Sequence, residues 1–343
     1  MSNLVIPSEA RDLARGGGNS PWSRWVVTSL SIVALAGFPA TSSSAQTTRA
    51  DSLLNVGALQ RAESLFYSAV QARPRDPMAR WSLGKYLVSR GAPRVGMTLF
   101  EEALQFGGDP SIVNPELAPT YLALGEYHKL SALKSSPLSA PERERARWLV
   151  ARSTKLIAPD SVATLTYRKS SDVAPLGRVS IRVNGRTLDA TIAAREHGII
   201  IADTSAAAKR LHIFKQAGAP AAQARGIPAV ADSIGLGQIS LADYPVTVQP
   251  LANKQQALIG LDVIARFAPT FDPSAERVTL HVAGTVPRTV SGADELPTLL
   301  TRDDFRVLRS GAWVSIEQPQ ILQMLSRRRW TFDARRGQLT IDR

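Results

Sequence analysis

The sequence predicts an α+β protein of more than one domain, with helices in its first half and strands in its second. Over residues 46–158, apolar and small residues follow the period of an α-helix. The same pattern recurs further along the chain, so that Gly57, for example, has a counterpart in Gly91. After residue 159 the apolar period falls to 2, the period of a β-strand. A short segment near residue 270 recurs near residue 331. We therefore expect a helical repeat array, a mainly β domain and a small C-terminal β unit.

The composition excludes several classes of protein. Of the 343 residues, 44% are hydrophobic, too many for a generally disordered chain. No cysteine is present, which excludes disulfides, thiolate metal sites and a cysteine nucleophile. None of the four histidines lies near another at the spacing of metal ligands. We expect neither a metal nor a cofactor.

The chain is basic, with 41 Lys and Arg against 29 Asp and Glu and a formal net charge of +12. The basic residues are spread along the sequence, and the densest run is Arg327-Arg328-Arg329. A nucleic-acid interface would combine a basic stripe with interleaved aromatic residues. We therefore expect a solvated basic surface and no nucleic-acid partner.

Residues 1–45 resemble a secretory signal peptide. Arg24 precedes the apolar run Trp25–Ala36, and small residues follow through Ala45. This predicts cleavage after Ala45 and a periplasmic or secreted location in the cell envelope. The run is shorter than the roughly 20 residues that span a bilayer. We expect no stable membrane span after cleavage; an uncleaved anchor is the alternative.

Residues 46–158 carry the repeat. Gly57, Ala58, Phe66 and Ala69 recur, all at the same displacement, as Gly91, Ala92, Phe100 and Ala103. Small residues allow paired helices to approach closely, and the phenylalanine fills the space between them. This pattern resembles the tetratricopeptide repeat, which implies a concave surface that binds a protein or peptide. The alternative is that so short an array only packs against the next domain.

A third, less regular unit is expected to begin at Tyr121–Gly125, after an insert that contains Pro110, Pro115 and Pro119. Its second helix is expected after the loop Lys134–Pro137. A capping box of Ser139 and Glu142 would start that helix. The predicted inner face of the helix consists of Ala146, Val150 and Ser153.

In residues 173–282, apolar residues alternate with polar ones, the pattern typical of β-strands. Asn184-Gly185 predicts a tight hairpin within Val179–Ile192, and Ile199–Ile201 predicts a buried strand. Asp203 is expected to cap a helix that runs to Leu211. The later elements are expected to be a hairpin at Ile234–Ile239, a strand at Val246–Val248, a helix that opens at Gly260–Asp262, and a hairpin of Thr270–Asp272 with Val278–Leu280.

The order of these elements resembles a retropepsin-like aspartic protease domain. The opening hairpin, the segment Ala206–Leu211 and above all Leu258–Phe267 followed by Phe271-Asp272 carry the resemblance. It implies a barrel whose catalytic loop follows the strand that ends at Ile192. In this family two aspartates share one proton and activate a water molecule, and each is followed by Thr or Ser and then Gly.

That loop is degenerate in this sequence. Ala193 stands where the catalytic aspartate is expected, followed by Ala194, with Arg195 in the place of the glycine and Gly198 at the end. Alanine cannot hold a proton, so the catalytic role does not transfer. Two other carboxylates remain candidates: Asp203, which is better interpreted as a helix cap, and Glu196, whose neighbour His197 would point to the opposite face of a strand.

Residues 288–343 form a further small β unit. Thr270-Phe271-Asp272 recurs as Thr331-Phe332-Asp333, and Val278–Leu280 has its counterpart at Leu339–Ile341. The unit resembles a shortened second lobe of the protease fold. It also resembles the small hairpin-helix-hairpin module of some copper amine oxidases. Neither resemblance supplies an Asp-Thr-Gly or Asp-Ser-Gly triplet, which the chain lacks.

The leading hypothesis is an exported, non-enzymatic protein in which the repeat array and the protease-like domain bind a protein or peptide. The competing hypothesis is an aspartic-type peptidase that uses Asp203 or Glu196, in a dimer that shares carboxylates. A purely structural envelope protein is the third. The sequence leaves the ligand and the oligomeric state open.

Overall fold

The computed structural model describes residues 43–133, 138–152, 154–158, 162–169, 171, 174–214, 226–282, 292–301, 304–334 and 336–342. The apolar run of the expected signal peptide, the loop Lys134–Pro137 and Ser153 lie outside these residues. The same holds for the expected domain limits at residues 173 and 288.

The N-terminal half is helical. Its helices are α1 Ser43–Asn55, α2 Leu59–Ala72, α3 Pro77–Ser89, α4 Pro93–Gln105, α5 Pro110–Leu124, α6 Tyr127–Ala132 and α7 Ala140–Val150. The first six pair as α1 with α2, α3 with α4, and α5 with α6. The turns within the pairs contain Gly57, Gly91 and Gly125, whose φ angles are 75°, 83° and 74°. This left-handed backbone favours glycine, so the same requirement recurs in the turn of each pair.

The predicted start of the third repeat is wrong. Residues expected to form an insert belong to α5, which contains Pro115 and Pro119, and Gly125 is the turn between the two helices. Burial of Val113 and Leu117 supplies the packing that maintains this helix despite its prolines.

The α7 helix begins with the predicted capping box of Ser139 and Glu142. Its inner face differs from the prediction, because Leu149 is buried while Val150 is 38% exposed.

The predicted equivalence of Phe66 and Phe100 is confirmed, since both side chains are buried in the cores of helix pairs. The Phe100 ring lies directly against Gly84. A Cβ atom at Gly84 would be 2.7 Å from the ring, closer than carbon atoms normally approach. The small residue therefore sets the spacing of α3 and α4.

The C-terminal half is mainly β. Its elements are β1 Lys155–Ile157, β2 Val162–Arg168, β3 Arg178–Val183, β4 Arg186–Ala193, β5 Ile199–Ala202, β6 His212–Ile213, β7 Ile227–Leu236, β8 Ile239–Gln249, β9 Ala257–Gly260, α8 Leu261–Ala265, β10 Thr270–Asp272, β11 Arg277–His281, β12 Asp294–Leu300, β13 Phe305–Arg309, β14 Ala312–Ser315, α9 Pro319–Arg327, β15 Trp330–Asp333 and β16 Gln338–Ile341.

Six strands close into a barrel in the order β3, β4, β9, β5, β8, β7 and back to β3. The pairs β4–β9 and β5–β8 are parallel, and the others are antiparallel. Asn184-Gly185 forms the predicted turn, with both residues at positive φ. Strand β8 extends well beyond the predicted Val246–Val248, so the β7–β8 hairpin is long. The fold is thus a helical array followed by a mainly β region with a closed barrel.

The predicted helix after Asp203 is wrong. Residues 203–207 form turns, and only Ala208–Arg210 adopt a short 3₁₀ helix. The Ser205 hydroxyl, not the Asp203 carboxylate, accepts the local bond from the N–H group of Ala207 at 3.2 Å. Because Ala207 and Leu211 are buried against the barrel, the chain turns into β6 before a longer helix can form.

The duplicated segments lie side by side. Strand β10 pairs with β15 in antiparallel register, with Thr270 opposite Thr331, and their hydroxyl oxygens are 2.8 Å apart. The rings of Phe271 and Trp330 stack with centroids 3.8 Å apart. The C-terminal unit therefore continues the sheet that β2, β11 and β10 begin.

Among the helices that the structure describes, none has the length and apolar character needed to cross a membrane.

Candidate functional site

The candidate site is the β4–β5 loop, residues 194–198, which follows Ala193 at the end of β4. Strand β4 lies parallel to β9 and places Ala193 opposite Gly260. In the loop, Ala194 is buried, whereas Arg195, Glu196 and His197 are exposed. The loop ends at Gly198, whose φ of 71° explains why glycine stands there.

The start of α8 supports this loop from the barrel. The Asp262 carboxylate accepts the N–H group of Gly198 at 3.1 and 3.2 Å, and lies 3.9 Å from Nδ1 of His197. The N–H group of Gly260 donates to the carbonyl oxygen of Gly198 at 2.7 Å. A Cβ atom at Gly260 would overlap the carbonyl oxygen of Glu196. Glycine is therefore required where α8 approaches the loop.

The C-terminal unit contributes a second carboxylate to the loop. Glu317 accepts the N–H group of Ala194 at 3.4 Å and forms an ion pair with Arg195 at 3.3 Å. The N–H group of Glu317 donates to the Ser315 hydroxyl at 3.2 Å, which fixes the start of this side chain. The carboxylates of Asp262 and Glu317 thus hold opposite ends of the loop in place.

The two candidate catalytic carboxylates are not brought together. Glu196 precedes β5 and Asp203 follows it, so the length of the strand, roughly 10 Å, separates them. Both side chains are exposed, and the N–H group of Asp203 is used in a bond to the carbonyl oxygen of Gln249 at 3.1 Å. A proton-sharing pair requires two carboxylates in direct contact. Within one chain these two residues do not form one.

Two contributions to the loop were not predicted from the sequence. Asp262 was expected only as part of the first turn of a helix; its position two residues after a required glycine was the available signal. Glu317 lies 123 residues from Ala194, and no local pattern marks it.

A separate open groove of 610 Å³ lies at the other end of the barrel, where β4 begins and β5 ends. It is lined mainly by polar residues, including Arg186, Thr204, Ser205, Lys254 and Gln256. The Gln256 side chain already accepts the N–H group of Asp189 at 3.0 Å. This groove is distinct from the β4–β5 loop.

No protein-family model and no curated protein matches the chain. Among solved structures, it is similar to a retropepsin-like aspartic protease from Rickettsia conorii, with 14% identity and a TM-score of 0.26. That match covers 38% of this chain and 93% of the protease. It is also similar to the first TPR of Spaghetti (RPAP3) bound to an HSP90 peptide, with 11% identity and a TM-score of 0.26. The second match covers 32% of this chain and 94% of the other.

Proposed function

We propose that this protein is an exported, non-enzymatic binding protein for a protein or peptide. The observation that carries the proposal is that alanines, which carry no carboxylate, stand at the end of β4 (Ala193) and at the start of the β4–β5 loop (Ala194). The other candidates, Glu196 and Asp203, lie at opposite ends of β5. Pairing two copies of this loop would bring alanines together, so a dimer does not restore the expected aspartates.

A cleavage assay tests the non-enzymatic part. The purified mature chain is incubated with a diverse peptide library between acid and neutral pH, in parallel with Glu196→Gln and Asp203→Asn variants. We expect no cleavage by any of the three proteins. Cleavage by the wild type that disappears in one variant would overturn the proposal and identify the active carboxylate.

For the binding surface, we favour the helical array over the barrel. Helices α1, α3 and α5 contact each other in this order. On α3, the Lys85 ammonium lies 4.5 Å from the centre of the Trp81 ring, and Asp51 interacts with Lys85 from one repeat earlier. On α5, Ile112 and Leu122 are 40% and 42% exposed. Partly exposed apolar side chains, on helices of the array that also carry exposed charges, suit an amphipathic peptide.

A selection from displayed random peptides distinguishes the array from the barrel. We expect wild-type protein to enrich peptides whose binding is lost in an Ile112→Asp variant. The matched control is Ile157→Asp, which makes the same change at a 63% exposed residue of the edge strand β1. If Ile157→Asp alone abolishes binding, the peptide adds to the β1 edge instead. No enrichment by the wild type contradicts peptide binding.

The export part rests on the N-terminal sequence. Of the described helices, cleavage after Ala45 would shorten only α1, at its first residues. Ala50, which is buried in the array, would be retained. The intact mass of protein purified from the cell envelope should correspond to a chain that begins at Gln46. A mass that includes Trp25–Ala36 would exclude cleavage.

A further inference from the structure

The turns of the repeat array lie against the C-terminal unit, residues 292–342. A Cβ atom at Gly57 would lie 2.5 Å from the Leu308 side chain, and one at Gly91 would overlap the carbonyl oxygen of Ala334. These two glycines therefore serve two purposes, a left-handed turn and close contact with another part of the chain. We call this surface, formed by residues 54–57 and 90–91, the turn edge of the array.

Directional hydrogen bonds cross the same contact. The Arg90 guanidinium, at the end of α3, donates to the carbonyl oxygens of Thr298 and Gly337, the latter at 3.1 Å. Gly337 leaves the space for that group, because a Cβ atom there would lie 2.6 Å from its central carbon. At the end of α1, the carbonyl oxygen of Leu54 accepts the indole N–H of Trp313 at 2.7 Å.

The C-terminal unit also contacts the barrel at the candidate site. Trp313 on β14 is followed after a few residues by Glu317, which binds Ala194 and Arg195 of the β4–β5 loop. The Glu317 side chain is only 24% exposed. One short segment thus connects a bond to the array with a bond to the loop.

We infer that the C-terminal unit is the internal ligand of the turn edge, and that this docking holds Glu317 against Ala194 and Arg195 at the start of the β4–β5 loop. Two consequences follow. The turn edge is occupied by the chain itself, so an external partner uses another face of the array. The N–H group of Ala194 is released from Glu317 only when the C-terminal unit moves, whereas Arg195, Glu196 and His197 are exposed in either case. This inference does not depend on the proposed peptide-binding face.

Hydrogen exchange measured by mass spectrometry on the mature chain tests the inference. Arg90→Ala removes the guanidinium donor, and Trp313→Phe removes one hydrogen bond but keeps an aromatic ring. Glu317→Ala removes only the carboxylate that contacts the loop. Two exposed residues supply matched controls, Arg61→Ala on α2 and Glu144→Ala on α7. The readout is the exchange rate of peptides that contain residues 194–198 and of peptides from 294–300.

We expect Glu317→Ala to accelerate exchange of the Ala194 amide, within the peptides that contain residues 194–198, about tenfold, the scale of one charge-assisted hydrogen bond. Exchange in 294–300 should be unchanged. Arg90→Ala and Trp313→Phe should accelerate exchange in both segments, and the controls in neither. The inference is overturned if Arg90→Ala and Trp313→Phe loosen 294–300 while the loop keeps its protection. It is equally overturned if Glu317→Ala leaves the loop unchanged. If Arg90→Ala unfolds the whole chain, Trp313→Phe decides.

Discussion

Phe66 and Phe100 occupy equivalent positions in successive repeats, and the sequence alone predicted that both would be buried. The structure adds what surrounds them, since Gly84 lies directly against the Phe100 ring. Replacing Phe100 with alanine should lower the free energy of unfolding by about 3 to 5 kcal/mol, because it leaves a cavity between α3 and α4. Urea unfolding measures this change. Leu122→Ala is the exposed control, and a loss below about 1 kcal/mol for Phe100→Ala would contradict the packing.

Glu63 is a second residue whose environment can be tested. Burial raises the pKa of its carboxyl group, and the hydrogen bond from the Tyr86 hydroxyl at 3.3 Å together with the charge of Arg90 only partly offsets this. The folded protein therefore binds this proton more tightly than the unfolded chain. The stabilisation that results is complete below the unfolded pKa and is lost as pH rises through the folded pKa.

Glu63→Gln removes this titration. We expect the free energy of unfolding of the wild type to fall relative to the variant as pH rises above 4.5, the ordinary pKa of a glutamate carboxyl group. Urea unfolding at several pH values measures the difference. The same substitution at the exposed Glu144 is the control. A difference between wild type and Glu63→Gln that stays constant with pH would show that Glu63 does not titrate as inferred.

At the scale of elements, the sequence correctly predicted the turns and helix starts that depend on neighbouring residues. Asn184-Gly185 forms its turn and Ser139 begins its helix, because both depend on residues close in sequence. The prediction of secondary structure failed where packing against distant parts of the chain determines the conformation. The prolines of α5 suggested an insert, yet its buried face maintains the helix, and the segment after Asp203 bends into β6 because Ala207 and Leu211 pack inward.

In the candidate site, too, local features could be predicted and tertiary contacts could not. The position of the β4–β5 loop could be predicted, since a strand and a glycine mark its ends. Its support could not, because Asp262 and Glu317 reach it from distant parts of the chain. A tertiary contact of this kind leaves no pattern in the sequence near the loop.

The junction of β9 and α8 gives a prediction at this scale. Gly260→Ala should destabilise the protein and loosen the β4–β5 loop, because the new Cβ atom would meet backbone atoms of Glu196 and Gly198, which cannot simply rotate away. Gly235→Ala is the matched control, since its nearest neighbours are atoms of the flexible Arg182 side chain. Thermal unfolding and hydrogen exchange of residues 194–198 measure both effects. Equal, small effects of the two substitutions would contradict the close approach.

At the scale of the whole molecule, parts that are far apart in sequence are in contact, since the C-terminal unit lies against the N-terminal helix pairs. The C-terminal unit contacts the first helix pairs through Trp313 and Arg90 and extends the sheet of the barrel through the pairing of Thr270 with Thr331. The end of the array contacts the barrel separately, where Arg266 donates to the carbonyl oxygen of Ala123 at 2.8 Å. The array is therefore anchored to the β half at both of its ends.

Such anchoring predicts cooperative unfolding. The described residues from Ser43 onward belong to one compact unit, and a short repeat array gains much of its stability from neighbouring contacts. A chain that begins at Gln46 should unfold in one transition with equal calorimetric and van't Hoff enthalpies. Combining Arg90→Ala with Trp313→Phe removes hydrogen bonds that connect the array to the C-terminal unit, so the array should then melt first and separate the transition into two. Arg61→Ala should leave a single transition. Two transitions in the wild type, or one unchanged transition in the double variant, would show that these contacts do not couple the halves.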